Sequence, residues 1–203
     1  MGIRYEPITA FIMAGGLSSR MGEPKAFMQI AGKSMIDYAV AQAHSVAEDV
    51  FVVGDKIMYG AYGRIVTDIH EKCGPLGGIH AALTRTKTEF NLMLALDTPF
   101  LTRNILHYLN EQAQKAEKTV TVPKLSNGYN PLCAIYRKDF LHRAEGALLA
   151  GNYKIDSLFL EGDTLEITEA ELLMQRFDIT MFQNINTPED FAIASNRKPD
   201  LNA

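Results

Sequence analysis

The sequence predicts a three-layer α/β sandwich in which helices cover both faces of a mostly parallel sheet. Two patterns carry this reading. The short apolar runs are continuous rather than alternating, as strands buried on both faces require. They also take turns with longer stretches of helical period, the order that a parallel sheet with helical crossovers produces.

The elements follow in chain order. Residues 8–13 (ITAFIM) form a buried strand that runs into a glycine-rich turn. Residues 35–46 carry apolar side chains at helical spacing, residues 50–53 form a second strand, and residues 64–66 a short third. A helix is expected over residues 78–84, after the segment GPLGG. Residues 90–96 (FNLMLAL) are a continuous apolar run that stops at Asp97. Residues 102–116 form a helix with Thr102 as its cap, and residues 119–122 another strand. The arrangement is Rossmann-like, and in such sheets ligands bind beyond the carboxyl ends of the strands. Chemistry is therefore expected just after Met13 and Leu96.

Composition limits the function classes. The chain has 203 residues, 47% hydrophobic and 22% charged, which is ordinary for a globular protein and argues against disorder. Its 20 basic and 24 acidic residues show no basic cluster, so nucleic acid is not an expected partner. Cys73 and Cys133 form no CxxC pair and are expected as two buried, reduced thiols. His44, His70, His80, His107, His142 and Glu71 lack metal spacing and are expected as solvated residues. The N-terminal residues have no apolar signal core, and Glu6 stands where myristoylation needs Ser or Thr. No run approaches the ~18 apolar residues of a membrane span. The expected setting is the cytoplasm, without a membrane. Residues 1–195 are expected to form one domain and residues 196–203 a frayed tail.

The loop AGGLSSRMGEPK, residues 14–25, concentrates groups that suit phosphate. Gly15 and Gly16 allow close backbone approach, successive N–H groups can form an anion nest, and Ser18, Ser19, Arg20 and Lys25 add donors and charge. It is neither of two familiar phosphate loops. The glycine spacing fails GxGxxG, and Phe27 stands where the P-loop preceding Gly32-Lys33-Ser34 would need glycine. Gly32-Lys33-Ser34 is therefore read as a turn and helix cap. The residues alone leave two readings of the loop, a phosphate cradle or a flexible turn. They leave two for Asp97-Thr98-Pro99 as well, a magnesium ligand or a turn cap.

A resemblance separates these readings. The loop MAGGLSSRMGEPK, the segment CGPLGG (Cys73 to Gly78), LDTP (Leu96 to Pro99) and NINTPE (Asn184 to Glu189) occur in the order found in nucleotidyltransferases that build nucleotide-linked cofactors. The set resembles the molybdenum cofactor guanylyltransferases, the molybdopterin-guanine dinucleotide synthesis protein A family. The resemblance implies transfer of GMP from GTP to the phosphate of molybdopterin or Mo-molybdopterin, with Mg2+ as cofactor. It implies a nucleotide site at Met13, Ala14, Gly15, Gly16, Lys25, Asp68 and Gly78, with Asp97 as the metal ligand. Arg20 and Lys25 would stabilise phosphate charge. Asn184 and Asn186 would serve the acceptor, in a C-terminal half distinct from the GTP-binding N-terminal half. Handing on a labile product implies protein partners, namely other molybdenum cofactor biosynthesis proteins and molybdoenzyme chaperones.

Three positions depart from the pattern. Pro24 replaces a frequent Asp, Gly54 replaces a base-contacting Asn, and Asn130 stands where many relatives carry His. Competing readings are a cytidylyltransferase for the same pterin, a sugar-phosphate guanylyltransferase and a non-catalytic nucleotide sensor. A dinucleotide-dependent oxidoreductase is disfavoured by the glycine spacing.

Overall fold

The computed structural model describes residues 5–15, 24–70 and 72–197. Along the chain run β1 (Ile8–Met13), β2 (Gln29–Ile30), β3 (Lys33–Ser34), α1 (Met35–His44), β4 (Asp49–Val53), α2 (Lys56–Tyr59), β5 (Arg64–Val66), α3 (Gly74–Arg85), β6 (Phe90–Ala95) and α4 (Arg103–Ala116). They are followed by β7 (Val120–Leu125), β8 (Gly128–Tyr129), β9 (Cys133–Arg137), α5 (Phe140–Leu149), β10 (Thr164–Thr168), α6 (Glu169–Met174) and α7 (Pro188–Ser195).

The main sheet has the order β10-β7-β9-β6-β1-β4-β5, with β8 paired to β7. All its strands on this path are parallel except β9, which lies antiparallel between β6 and β7. From β1 the chain moves outward to β4 and β5, then returns to the other side of β1 as β6. That reversal opens a crevice between the carboxyl ends of β1 and β6, where such sheets bind ligands.

Two cores lie against the two faces. Ile8, Ala10 and Ile12 of β1 join side chains of α1, α4, α6 and α7 on one face. Phe11 and Met13 join those of α3 and α5 on the other. The sheet is thus buried on both sides, which is why its strands read as unbroken apolar runs.

Local chemistry sets most boundaries. The β2–β3 turn places Ala31 and Gly32 at φ 48° and 83°, the geometry of a two-residue hairpin turn. Ser34 then caps α1 in a reciprocal box with Asp37, so Gly32-Lys33-Ser34 is the expected turn and cap. Thr102 sits at the cap position of α4 but makes no side-chain cap bond.

Three expectations are corrected. The helix expected over residues 78–84 begins at Gly74, because Pro75 fits the first turn of a helix and the glycines are used for packing. His80 is 5% exposed, not solvated, since it lies on the inner face of α3 beside Ile79. Cys133 is buried as expected, and burial pushes its thiol up to about 12. Cys73 is only half-buried and interacts with Tyr153.

A polar contact inside the first core fixes the turn after β6. Gln42 of α1 is 2% exposed, and its amide donates to the carbonyls of Thr98 (3.1 Å) and Leu101 (2.9 Å). Gln42→Leu keeps the volume but strands both buried acceptors. The orphaned Gln42 Oε1 is lost at the same time, which offsets part of the cost. Urea unfolding should show a loss near the low end of about 1–3 kcal/mol. A variant as stable as wild type would mean the turn does not depend on this contact.

Candidate active site

The site assembles where β1, β4, β5 and β6 end together. β1 gives way to Ala14 and Gly15. Ala14 donates its N–H to the Val53 carbonyl (3.0 Å), and its own carbonyl accepts from the Tyr59 hydroxyl (3.2 Å). The Tyr59 ring lies over Gly54, where an added Cβ would stand 3.0 Å from it. Gly54 is therefore matched to Tyr59, and a larger residue there would displace the ring that holds Ala14.

One wall of the site consists of Met13, Gly15, Asp68 and Gly78. A Cβ on Gly78 would fall 2.5 Å from Met13 Cε, 3.3 Å from Val53 Cγ1 and 3.5 Å from Asp68 Oδ1. Gly78 is thus a close-packing residue that lets α3 approach the end of β1. Gly15 faces the same carboxylate, but among the described residues a Cβ there would have only Asp68 Oδ2 within reach, at 4.0 Å. Asp68 keeps contact with solvent, yet desolvation by the surrounding protein raises its carboxyl above the ordinary range.

The other wall holds the charge. Lys25 lies in a short 3-10 turn of residues Lys25–Phe27. Its ammonium donates to Asp97 Oδ2 at 2.9 Å and to Asn186 Oδ1 at 2.8 Å. The Lys25 and Asp97 side chains are 13% and 23% exposed, so the ion pair is shielded but reachable.

Asp97 is fixed from three directions. Thr98 Oγ1 donates to the Ala95 carbonyl, Gln42 grips the turn from below, and the Ile185 N–H donates to the Asp97 carbonyl at 3.0 Å. That last bond brings the NINTPE segment to the β6 end. The segment is then locked by the cap of α7. Thr187 accepts from Asp190 N–H, while Asp190 Oδ2 accepts from the N–H groups of Asn186 and Thr187, both at 2.9 Å. These bonds, the one from Asn186 first, hold the Asp190 carboxyl below its ordinary range. Asn184 is exposed at the start of the segment.

The structure thus gathers Met13, Ala14, Gly15, Lys25, Asp68, Gly78, Asp97, Asn184 and Asn186 at one end of the sheet. Gly16, Ser18, Ser19, Arg20 and Glu71 lie outside the described residues. Among the described residues, no three His, Cys, Asp or Glu side chains form a metal-binding group. A cation at Asp97 must then complete its shell with substrate oxygens and water. Magnesium accepts this, since it commonly takes one or two carboxylates with phosphates. A separate cleft of about 380 Å³ lies among Tyr5, Phe90, Lys115 and Arg137, at the opposite strand ends. None of the expected residues lines it.

Sequence reasoning missed Gln42 and Tyr59. Gln42 left a trace, a polar residue on the apolar stripe of Tyr38 and Ala39. Tyr59 left none, because its role depends on Gly54 being bare. Asn130 precedes β9 at this same end, and its amide nitrogen is buried without a partner among the described residues. The Leu132 carbonyl there accepts from Ala95 N–H.

Comparison with known proteins shows the family and the fold. Residues 10–165 match the MobA-like NTP transferase domain. A molybdenum cofactor guanylyltransferase of Desulfosudis oleivorans is 32% identical over 188 residues, covering 91% of this chain and 93% of the relative. A probable molybdenum cofactor guanylyltransferase of Natranaerobius thermophilus is 30% identical over 189 residues, covering 90% and 92%. The solved structure of molybdopterin-guanine dinucleotide biosynthesis protein A from Archaeoglobus fulgidus superposes with a TM-score of 0.80 at 25% identity, covering 93% of this chain and 97% of that one. No helix among the described residues is long and apolar enough to cross a membrane.

The raised Asp68 carboxyl has a stability consequence. Its folded-state pKa lies above the unfolded value, so the folded chain holds this proton more tightly. Ionisation therefore costs stability as pH rises through the carboxylate range. Asp68→Asn removes that cost and should raise the neutral-pH melting temperature of the ligand-free protein. The gain should vanish below the ordinary carboxylate range. A destabilised variant at pH 7 would show that the carboxylate supports the fold.

Proposed function

We propose that this chain, which belongs to the MobA-like NTP transferase family, transfers GMP from GTP to the phosphate of a molybdopterin acceptor. The observation that carries this reading is the shielded Lys25–Asp97 pair at the β1–β6 crevice, facing the glycine-bearing end of β1. The guanylyltransferase names of the relatives support the choice of nucleotide and acceptor.

The chemistry asks for charge control more than for a base. An oxygen of the acceptor phosphate forms a new bond to the α-phosphorus of GTP. The bond from that phosphorus to its bridging oxygen breaks, and pyrophosphate leaves with the electron pair. The attacking phosphate is already anionic, so positioning and neutralisation dominate. Lys25 offers one ammonium to the phosphates, and Arg20 is proposed to assist from the same loop. Gly15 and the backbone beside it admit the base and α-phosphate without a side chain in the way. Asp68 is placed to accept from a ribose hydroxyl, and Asn184 and Asn186 to meet the acceptor with amides that both donate and accept. Asp97 would hold a magnesium ion, whose chemistry when bound is to draw charge off the substrate phosphates. The partners proposed are GTP and molybdopterin or Mo-molybdopterin, with biosynthetic proteins and molybdoenzyme chaperones receiving the product in the cytoplasm.

Two outcomes are expected. Asp97→Asn should fold normally and lose roughly 10²-fold or more in turnover, the scale of removing a main charge-stabilising group. A soluble variant within a few-fold of wild type would remove Asp97 from the mechanism. Pyrophosphate release should also be measured from each of four nucleoside triphosphates, with and without molybdopterin. GTP should lead CTP by roughly 10²-fold in kcat/KM, because two unpaired base groups cost about 1–3 kcal/mol each. Equal or CTP-favouring values would replace the guanylyltransferase reading with the cytidylyltransferase one.

A further inference from the structure

We infer that Asn186 is a positioning residue for Lys25, holding its ammonium in the nucleotide site through the side-chain oxygen. The inference rests on the nucleotidyltransferase reading and deepens its donor half.

Lys25 Nζ carries three N–H groups, one directed at Asp97 Oδ2 and one at Asn186 Oδ1. The third is left for a phosphate oxygen. The two protein partners differ in kind. Asp97 is a charged ligand that a cation or a triphosphate-bound metal would also engage, and its hold on Lys25 weakens when it does. Asn186 is neutral and has no such competitor of equal strength.

A lysine stem is flexible and is costly to fix in one rotamer. If Asp97 were its only partner, Lys25 would lose its orientation as substrate arrives. Asn186 removes that difficulty because its own place is set by backbone bonds. Its N–H is held by Asp190, the next residue caps α7, and the residue before it is anchored to the Asp97 carbonyl. Ile185 is 2% exposed and pins the segment in the first core. The segment expected to meet the acceptor therefore also supports the lysine that meets the donor. Occupation of one half bears directly on the geometry of the other.

A double-mutant cycle on the full chain tests this. Affinity for the Mg2+ complex of a nucleoside triphosphate is measured by calorimetry, and kcat/KM by pyrophosphate release. The variants are Asn186→Ala, Lys25→Ala and both together. Asn186→Ala should lose about tenfold in both readouts, the scale of one hydrogen bond to a charged group. In the Lys25→Ala background the same change should cost less than twofold in triphosphate affinity, the readout that excludes the acceptor, because residues acting through one another are not additive. Asn186→Asp keeps an acceptor oxygen and should recover most of the loss. Melting temperatures separate misfolding from mispositioning. Should Asn186→Ala fail to fold, Asn186→Ser, which shortens the reach to Lys25, takes its place in the cycle. Equal losses in both backgrounds, or a loss confined to acceptor KM, would overturn the inference. The cycle uses whichever triphosphate the wild type binds most tightly, so an error in the base reads out separately as a preference for CTP or ATP. A wild type that binds no triphosphate would overturn both readings.

Discussion

The ion pair between Lys25 and Asp97 joins segments 72 residues apart and organises the candidate site around it. Lys25 arrives on the loop after β1, Asp97 on the turn after β6, and Asn186 reaches the pair from the far C-terminal segment. A shielded charge is costly unless it is paired, so each partner constrains the other. The remaining contacts extend that constraint. Gln42 and Thr98 fix the Asp97 turn, Ile185 ties the C-terminal segment to it, and Asp190 locks the backbone beside Asn186. On the proposed function, a triphosphate carrying magnesium would compete for both charges, its phosphates for Lys25 and its metal for Asp97.

The opposite wall works by shape. Gly78 brings α3 close to Met13, and Gly54 makes room for the Tyr59 ring, whose hydroxyl holds Ala14. Both glycines are occupied by neighbours, whereas among the described residues a Cβ on Gly15 would meet only the Asp68 carboxylate. Asp68 completes this wall at some cost, since the surrounding protein partly desolvates its carboxyl. A group that opposes the ligand-free fold is a common mark of a binding residue.

Much of this was legible in the sequence because the signals are local. Continuous apolar runs gave β1, β4 and β6, and the helical period gave α1 and α4, with ends misplaced by a few residues. The order of four motifs brought Lys25, Asp97 and Asn186 onto one list of candidates. What the sequence hid was non-local. No local pattern says that Lys25 and Asn186 touch, because their contact spans 161 residues and depends on how α7 returns to the sheet. His80 was read as solvated from its lack of metal spacing, which says nothing of burial, and the packing of α3 places it inside. Tyr59 was invisible since its place is defined by the absence of a side chain at Gly54. β9 runs antiparallel between two strands of a mostly parallel sheet, and its short buried run, residues 133–137, carries no mark of direction.

The central claim is that the Lys25–Asp97 pair is the seat of the nucleotide phosphates. A crystal structure of the chain with Mg2+ and a non-hydrolysable GTP analogue tests it most directly. The account predicts phosphate oxygens beside Lys25 Nζ, the base side of the nucleotide along Gly15 and Asp68, and an Asp97 oxygen turned to the metal with the direct ion pair opened. A triphosphate bound elsewhere, with Lys25 and Asp97 still paired at 2.9 Å, would contradict it.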